Sequence, residues 1–272
     1  MDIANTNKHI ELISQELSIS SRQVSNTVNL LNGGATIPFI SRYRKEQTGN
    51  LDEVQITSIR DLSVKYTELD KRKETVLTTI EEQGKLTDEL KKRIIECFDP
   101  TELEDIYLPY KPKRRTKATI AKEKGLELLA TLIMRQQDRD IIGKAEKFIN
   151  DQVADVDEAL QGARDIIAEW ISEDEKARNV ARRNFKRSAV IRSKVVKNKE
   201  TEGVKYTDYF GFEEEVRKCA SHRFLAMRRG QEEGFLKVNI NPNEEDVLEE
   251  LERFLVKGSG EPQQQVAIAV KD

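Results

Sequence analysis

Between Asp52 and Gly84 the chain carries one uninterrupted apolar stripe at helical spacing. Asp52 can cap its start; Ile59, Leu62, Tyr66 and Leu69, then Val76 and Ile80, recur every three or four residues; Gly84 stops it. A strand alternates every second residue and cannot collect those side chains on one face. A helix of that length needs partners to cover its stripe, so the rest of the chain is committed to supplying helices.

The remaining segments fit that demand. Ile10, Ile13 and Leu17 form a first stripe. Ser20 and Gln23 have capping-box spacing before Val24, Val28 and Leu31, and Asn32, Gly33 and Gly34 end that helix. Thr36 can cap a third helix with Pro38 in its first turn, and Thr87 one with Leu90, Ile94 and Phe98 on its apolar face. Thr101 and Glu104 again have capping-box spacing, and Pro109 and Pro112 should stop that helix and hold Tyr110 and Lys111 extended. Thr116 or Lys117 opens a short helix carrying Ile120, with Gly125 just past its end, and Leu126 to Met134 continues as another. Leu160, Ala163, Ile167 and Trp170 share a face, as do Ala177, Val180, Ala181 and Phe185. Ser221 can cap a helix ending at Gly230. Phe235 to Ile240 alternates and is the strand candidate. Leu248, Leu251 and Leu255 mark a helix that closes the ordered part, before a linker at Gly258 to Pro262.

Charge is sorted along the chain. The net charge is only −3, so bulk electrostatics do not point to a polyanion. Yet Lys111, Lys113, Arg114, Arg115, Lys117, Lys122 and Lys124 face a single acid, Glu123, and the run Lys176 to Lys199 holds ten Lys or Arg and no acid. Asp151 to Glu175 and Glu244 to Glu252 are acidic. Sorted charge suggests sorted faces. Cys97 and Cys219 are far apart and in no metal-like spacing, which fits a reduced, cytoplasmic setting. No secretory signal and no membrane-length apolar stretch are visible.

Five stretches carry a family resemblance: GGATIPFISRYRKEQTGNLDEVQ (Gly33 to Gln55), IEEQGKLTDEL (Ile80 to Leu90), TELEDIYLPYKPKRRTKATIAKEKG (Thr101 to Gly125), GARDIIAE (Gly162 to Glu169) and SHRFLAMRRGQEEG (Ser221 to Gly234). In this order they resemble the Tex family of bacterial transcription accessory proteins, from about residue 5 to the end. Members of that family continue into a ribonuclease-H-like domain, helix-hairpin-helix elements and an OB-fold RNA-binding domain, so the chain resembles their amino-terminal part. The resemblance implies an elongated, mostly α array containing a helix-turn-helix-like module. On that basis residues 1–62 and 130–200 are assigned to the Tex N-terminal helical region and 63–129 to the helix-turn-helix-like module. Residues 201–257 become a connecting region with a short strand, and 258–272 a linker toward the absent ribonuclease-H-like domain.

The function expected is non-catalytic and sequence-independent nucleic-acid binding, to RNA or DNA, in transcription. Lys111, Lys113, Arg114, Arg115, Lys117 and Lys122 are the first candidate contacts, and Arg182, Arg183, Lys186 and Arg187 the second. Lys and Arg suit phosphate, while base readout also wants Asn or Gln on the helix, and none lies between Lys113 and Gly125. The charges of the second run lie on several faces, and some can pair with the acidic stretch upstream. Arg42 and Arg44 could hold phosphate or a carboxylate, but the favoured reading has Arg42 and Tyr43 bracing the helix junction around Pro38 and Phe39. His9 and His222 are the only histidines, and no hydrolase, zincin or phosphate-loop motif is present, so neither catalytic residues, cofactor nor metal is expected. The alternative is a protein-interaction scaffold that docks RNA polymerase or positions RNA-binding domains. The lack of an exposed apolar periodic face points to a monomer.

Overall fold

Capping residues start most of the helices that the apolar stripes continue. The computed structural model describes residues 7–272, and the chain divides into two units between Lys111 and Pro112. The first contains α1 (Asn7–Leu17), α2 (Ser21–Asn32), α3 (Ile37–Tyr43), α4 (Lys45–Thr48), α5 (Glu53–Glu82), α6 (Asp88–Glu96) and α7 (Pro100–Tyr107). Ser20 and Gln23 exchange the two hydrogen bonds of a capping box before α2, and Asp52 and Gln55 do the same before α5. Thr36 precedes α3 without a side-chain cap.

The long helix α5 is the spine of this unit. Ile56, Ile59, Tyr66, Leu69, Val76 and Ile80 are buried along it, and α1, α2, α3, α6 and α7 pack against it. Gly84 follows in the left-handed region, at φ +66°, where a side chain would be strained. The spine also buries a lysine. Lys73 Nζ donates to the Ile95 carbonyl at 2.9 Å, lies 3.5 Å from Asp70 and sits 4.1 Å from the Phe98 ring centre. Asp70 is in turn 2.9 Å from His9 Nε2, and His9 stacks on Tyr66. A buried ammonium without such partners would be costly.

The capping box expected at Thr101 does not form. Pro100 occupies the first turn, and Asp99 accepts from the Thr101 and Glu102 backbone amides at 2.7 and 2.9 Å. Those bonds hold the Asp99 carboxyl below the usual carboxylate range. Glu104 instead forms a two-bond pair with Arg72 of α5, at 2.6 and 3.0 Å. Asp99→Ala is therefore expected to lower stability by about 1 kcal/mol and Thr101→Ala to leave it nearly unchanged, as read by urea titration. Tyr110 is not extended either: Leu108–Tyr110 form one tight 3₁₀ turn, held where Gln83 Nε2 donates to the Tyr110 carbonyl at 2.7 Å.

The second unit contains α8 (Lys117–Glu123), α9 (Glu127–Arg135), α10 (Ile141–Ala145), α11 (Val156–Glu173), α12 (Glu175–Ser188), β1 (Val190–Val195), β2 (Gly211–Glu215), α13 (Ser221–Glu232), β3 (Leu236–Asn241), α14 (Glu244–Leu255) and α15 (Glu261–Lys271). Thr116 caps α8 through the Thr119 amide, and Gly125 follows at φ +82°. Helix α11 is central: Ala159, Leu160, Ala163, Ile166 and Ile167 are buried on it, among Leu126, Leu129, Ile133, Ile141 and Val266. The span 63–129 is thus divided, with α6 and α7 packed on α5 in the first unit and α8 and α9 packed on α11 in the second. Its two ends also fall inside helices, α5 and α9.

Three further differences have identifiable causes. The strand expected at Phe235 to Ile240 is present as β3, but it belongs to a three-stranded antiparallel sheet in the order β2-β1-β3. In β1, Ile191 and Ser193 are buried while Arg192 and Lys194 face out, a period-two pattern hidden inside the basic run. In β2 three consecutive glutamates mask the strand; Glu213 pairs with Arg192 across the ladder at 3.1 Å. The expected linker 258–272 is instead largely helix α15. Gly260 and Pro262 start it, and Val266, Ala269 and Val270 bury one face. Gln136 ties it down, accepting from the Lys257 amide at 2.8 Å and, through its carbonyl, from Gln263 at 3.0 Å. Finally, α13 runs past Gly230 to Glu232, with Ala220 rather than Ser221 at the cap position. Gly230 is a point of close approach: a Cβ there would lie 2.6 Å from Leu236 Cδ1.

Candidate nucleic-acid interface

The two basic segments fare differently once folded. In the Lys113 to Lys124 segment, acids from α11 reach half of the cations. Glu169 accepts from Lys122 Nζ at 2.8 Å and from Thr116 Oγ1 at 3.0 Å, and lies 3.4 Å from Lys113. Lys113 also pairs with Glu173, Lys124 with Glu158 at 2.6 Å, and Arg115 with Glu123 at 2.7 Å. Burial pushes the Glu169 carboxyl up, but the Lys122 and Thr116 hydrogen bonds and the nearby lysine charges outweigh it and leave it below the usual range. The side chain of Glu169 is 11% exposed, so these contacts are held, not transient surface pairs. Arg114 and Lys117 are exposed and carry no ion pair among the described residues. Lys111, exposed at the end of the first unit, helps hold Glu104 ionised through its charge.

The second basic run splits between a helix and a strand. On α12, Asn179, Arg182, Arg183, Lys186 and Arg187 recur at three- and four-residue intervals and line one concavity of about 410 Å³, joined by Arg217 from the short turn after β2. These charges gather on one face, while the run as a whole spreads over several. Arg183 pairs with Glu250 of α14, which also accepts from Asn184 at 2.8 Å; the Asn184 bond and the Arg183 contact hold that carboxyl below its usual range. Arg182 donates to Asn179 at 3.1 Å, and Arg187 to Asn184 at 3.2 Å. Arg217 Nε donates to the Lys186 carbonyl at 2.9 Å. The rest of the run lies elsewhere: Lys176 sits 5.9 Å from the Phe254 ring centre, Arg192 pairs with Glu213, and Lys199 with Glu202 at 2.6 Å. Sequence reasoning missed Arg217, for which helical spacing offers no signal, and Asn179, which the same spacing would have found.

In the first unit, Arg42 lies 3.9 Å from Glu53, which also accepts from Ser41 at 3.2 Å, and Arg44 sits 5.3 Å from the Phe39 ring centre. Of the two residues expected to brace this junction, Arg42 reaches Glu53 and Tyr43 packs on Phe39 with ring centres 5.4 Å apart. Among the described residues no cluster of His, Cys, Asp and Glu could hold a metal ion, and no helix is long and apolar enough to cross a membrane. His9 is buried and His222 exposed at the start of α13.

Together these features define a mostly α-helical protein whose second unit leaves one concentrated cationic face. The chain matches the Tex-like protein N-terminal domain over residues 7–81 and the Tex central region-like family over residues 137–269. It is 45% identical over 235 residues to the transcriptional accessory protein Tex of Neisseria gonorrhoeae, covering 86% of this chain and 31% of that protein. It is 40% identical over 237 residues to the protein tex of Bordetella pertussis, covering 85% and 30%. A human S1 RNA-binding domain-containing protein 1 is 26% identical over 263 residues, covering 93% and 26%. The chain belongs to the Tex family. It spans about a third of the length of the bacterial relatives it matches.

Proposed function

We propose that this chain is the part of a transcription accessory factor that contacts nucleic acid through its phosphate backbone, without catalysis and without base readout. The observation that carries this reading is the α12 face, where Arg182, Arg183, Lys186, Arg187 and Arg217 share a concavity that Glu250 only partly neutralises. Phosphate neutralisation with counterion release supplies most sequence-independent affinity, and Lys186, Arg187 and Arg217 carry no ion pair among the described residues. Arg114 and Lys117 are a second, smaller group of that kind. The names of the relatives agree with it: one is a transcriptional accessory protein, another an S1 RNA-binding domain-containing protein.

Fluorescence anisotropy of the chain against labelled duplex DNA, single-stranded DNA and RNA across a salt series tests the reading. Similar affinities across sequences and a steep salt slope are expected. Changing Arg182, Lys186 and Arg187 together to alanine should flatten the slope by up to about three, and Arg114→Ala with Lys117→Ala by up to about two. No binding at low salt, or a slope indifferent to both sets, would refute it.

The scaffold reading keeps one observation of its own. Tyr43 is 69% exposed and packs on the half-exposed Phe39, whose ring centre is 5.4 Å away, with Arg44 beside them. Exposed aromatic and arginine groups are the usual anchors of protein interfaces. Co-purification of RNA polymerase with this chain alone, abolished by Tyr43→Ala, would support it.

A further inference from the structure

We infer that the concavity between α12 and Arg217 is a discrete site for a di- or triphosphate group. This rests on the reading of the face as a phosphate contact and narrows it from a diffuse surface to a single saturable pocket.

The charge density carries the inference. Five cationic side chains line a space of about 410 Å³, and Glu250, which pairs with Arg183, is also engaged by Asn184. Like charges crowded this closely repel, and nothing in the unit's core requires them: Arg183, Lys186, Arg187 and Arg217 are exposed. A strand of phosphodiesters brings one charge per nucleotide, spread along its length. A condensed phosphate brings several charges to one point and matches the concavity better in both size and charge.

The geometry supplies the donors. Arg217 spends Nε on the Lys186 carbonyl and keeps both Nη groups, which have no acceptor among the described residues. That bond anchors the guanidinium against the backbone of α12. It also covers a carbonyl of the last helical turn, where the helix dipole would otherwise repel an anion. Planar guanidinium groups held in this way suit the paired oxygens of phosphate.

Two sources share this chemistry: a free nucleoside triphosphate and the 5′-triphosphate end of a nucleic-acid strand. Calorimetry with sodium triphosphate at matched ionic strength should show saturable one-to-one binding, weakened about tenfold or more by Arg217→Ala and by Arg187→Ala, and unchanged by Lys91→Ala with Lys92→Ala, two exposed lysines of α6. Arg187 serves as the second variant because it makes no bond to the turn after β2, so a folding defect at Arg217 would not reproduce its effect. An RNA oligonucleotide with a 5′-triphosphate that binds tighter than both its 5′-hydroxyl form and ATP assigns the site to strand ends. Equal affinity for ATP and the triphosphorylated strand assigns it to the free nucleotide. Absence of triphosphate binding overturns the inference while leaving the backbone reading intact if 5′-hydroxyl strands still bind with a salt slope. Triphosphate binding without any affinity for 5′-hydroxyl strands would keep the site and remove the backbone reading.

Discussion

Gly162→Val should unfold the second unit at ordinary temperature, and Gly162→Ala should cost it about 1–3 kcal/mol. Gly162 is buried in the middle of α11, where α8 and the turn before α9 cross it. A Cβ built on it would collide with Leu126 Cδ1 and stand 3.2 Å from Ala121 Cβ. Neither neighbour can yield easily: Leu126 is 1% exposed and Ala121 3%, and both belong to the same packed cluster as Ala159 and Ala163. Cores this dense have few voids to absorb a methyl group, so the helix axes must separate and the surrounding contacts loosen. Gly84→Ala makes the contrast. Its φ of +66° strains any side chain, yet nothing lies within 4 Å of the added Cβ, so only the backbone cost of about 1 kcal/mol applies. Urea melts followed by tryptophan fluorescence report on the second unit, because Trp170 lies on α11. A Gly162→Val chain with wild-type midpoint would show that the α8–α11 crossing is not the tight contact described.

That crossing shows where the sequence is readable and where it is not. Local signals are strong: Asp52, the apolar stripe and Gly84 mark α5 almost residue by residue, because a cap, a 3.6-residue period and a left-handed glycine each act over a single turn. Thr116 and Gly125 mark α8 in the same way. Where two local signals compete, spacing misleads. Thr101 and Glu104 look like a cap, but Asp99 followed by Pro100 is a better one, and Arg72 on another helix then claims Glu104. Strands β1 and β2 escape notice because their outward residues are charged and their inward ones few, so composition reads as solvated loop. Gly162 is visible only as a member of a helical stripe; that its hydrogen must face Leu126 is a property of the packing.

The candidate interface divides along the same line. Helical spacing alone places Arg182, Arg183, Lys186 and Arg187 on adjacent rows of α12, so most of that concavity is written in the chain. Arg217 comes from beyond two strands and has no local signature. The neutralisation of the Lys113 to Lys124 segment is equally non-local, since its main acceptor, Glu169, is 53 residues from Thr116 and 47 from Lys122. Counting cations along a sequence therefore overstates the charge a loop presents. What matters is the number left after distant carboxylates have been placed.

Glu169→Gln tests that point, and its effects on stability and on binding have opposite signs. The glutamine keeps the shape and can still accept from Thr116, but it removes the charge that Lys122 and Lys113 share. Both lysines are about one third exposed, at 31% and 29%, and can turn toward water, so the loss is smaller than for a fully buried pair: about 2 kcal/mol. The pH dependence follows from the lowered carboxyl. A carboxylate that is more acidic folded than unfolded stabilises the fold above its unfolded value, near 4.3, and that contribution fades as pH falls through the folded value. The gap between wild type and Glu169→Gln in urea melts should therefore be full at pH 7, shrink below about pH 5, and nearly vanish under more acidic conditions. A gap independent of pH would mean that packing, not charge, accounts for it. Binding should move the other way: with Lys122 released while Lys113 keeps Glu173, the variant should hold nucleic acid more tightly than wild type, with a salt slope steeper by up to about one. A variant that is less stable yet binds more strongly would establish Glu169 as the residue that withholds Lys122 from nucleic acid. Unchanged binding would mean that the released Lys122 points away from any path a strand can take.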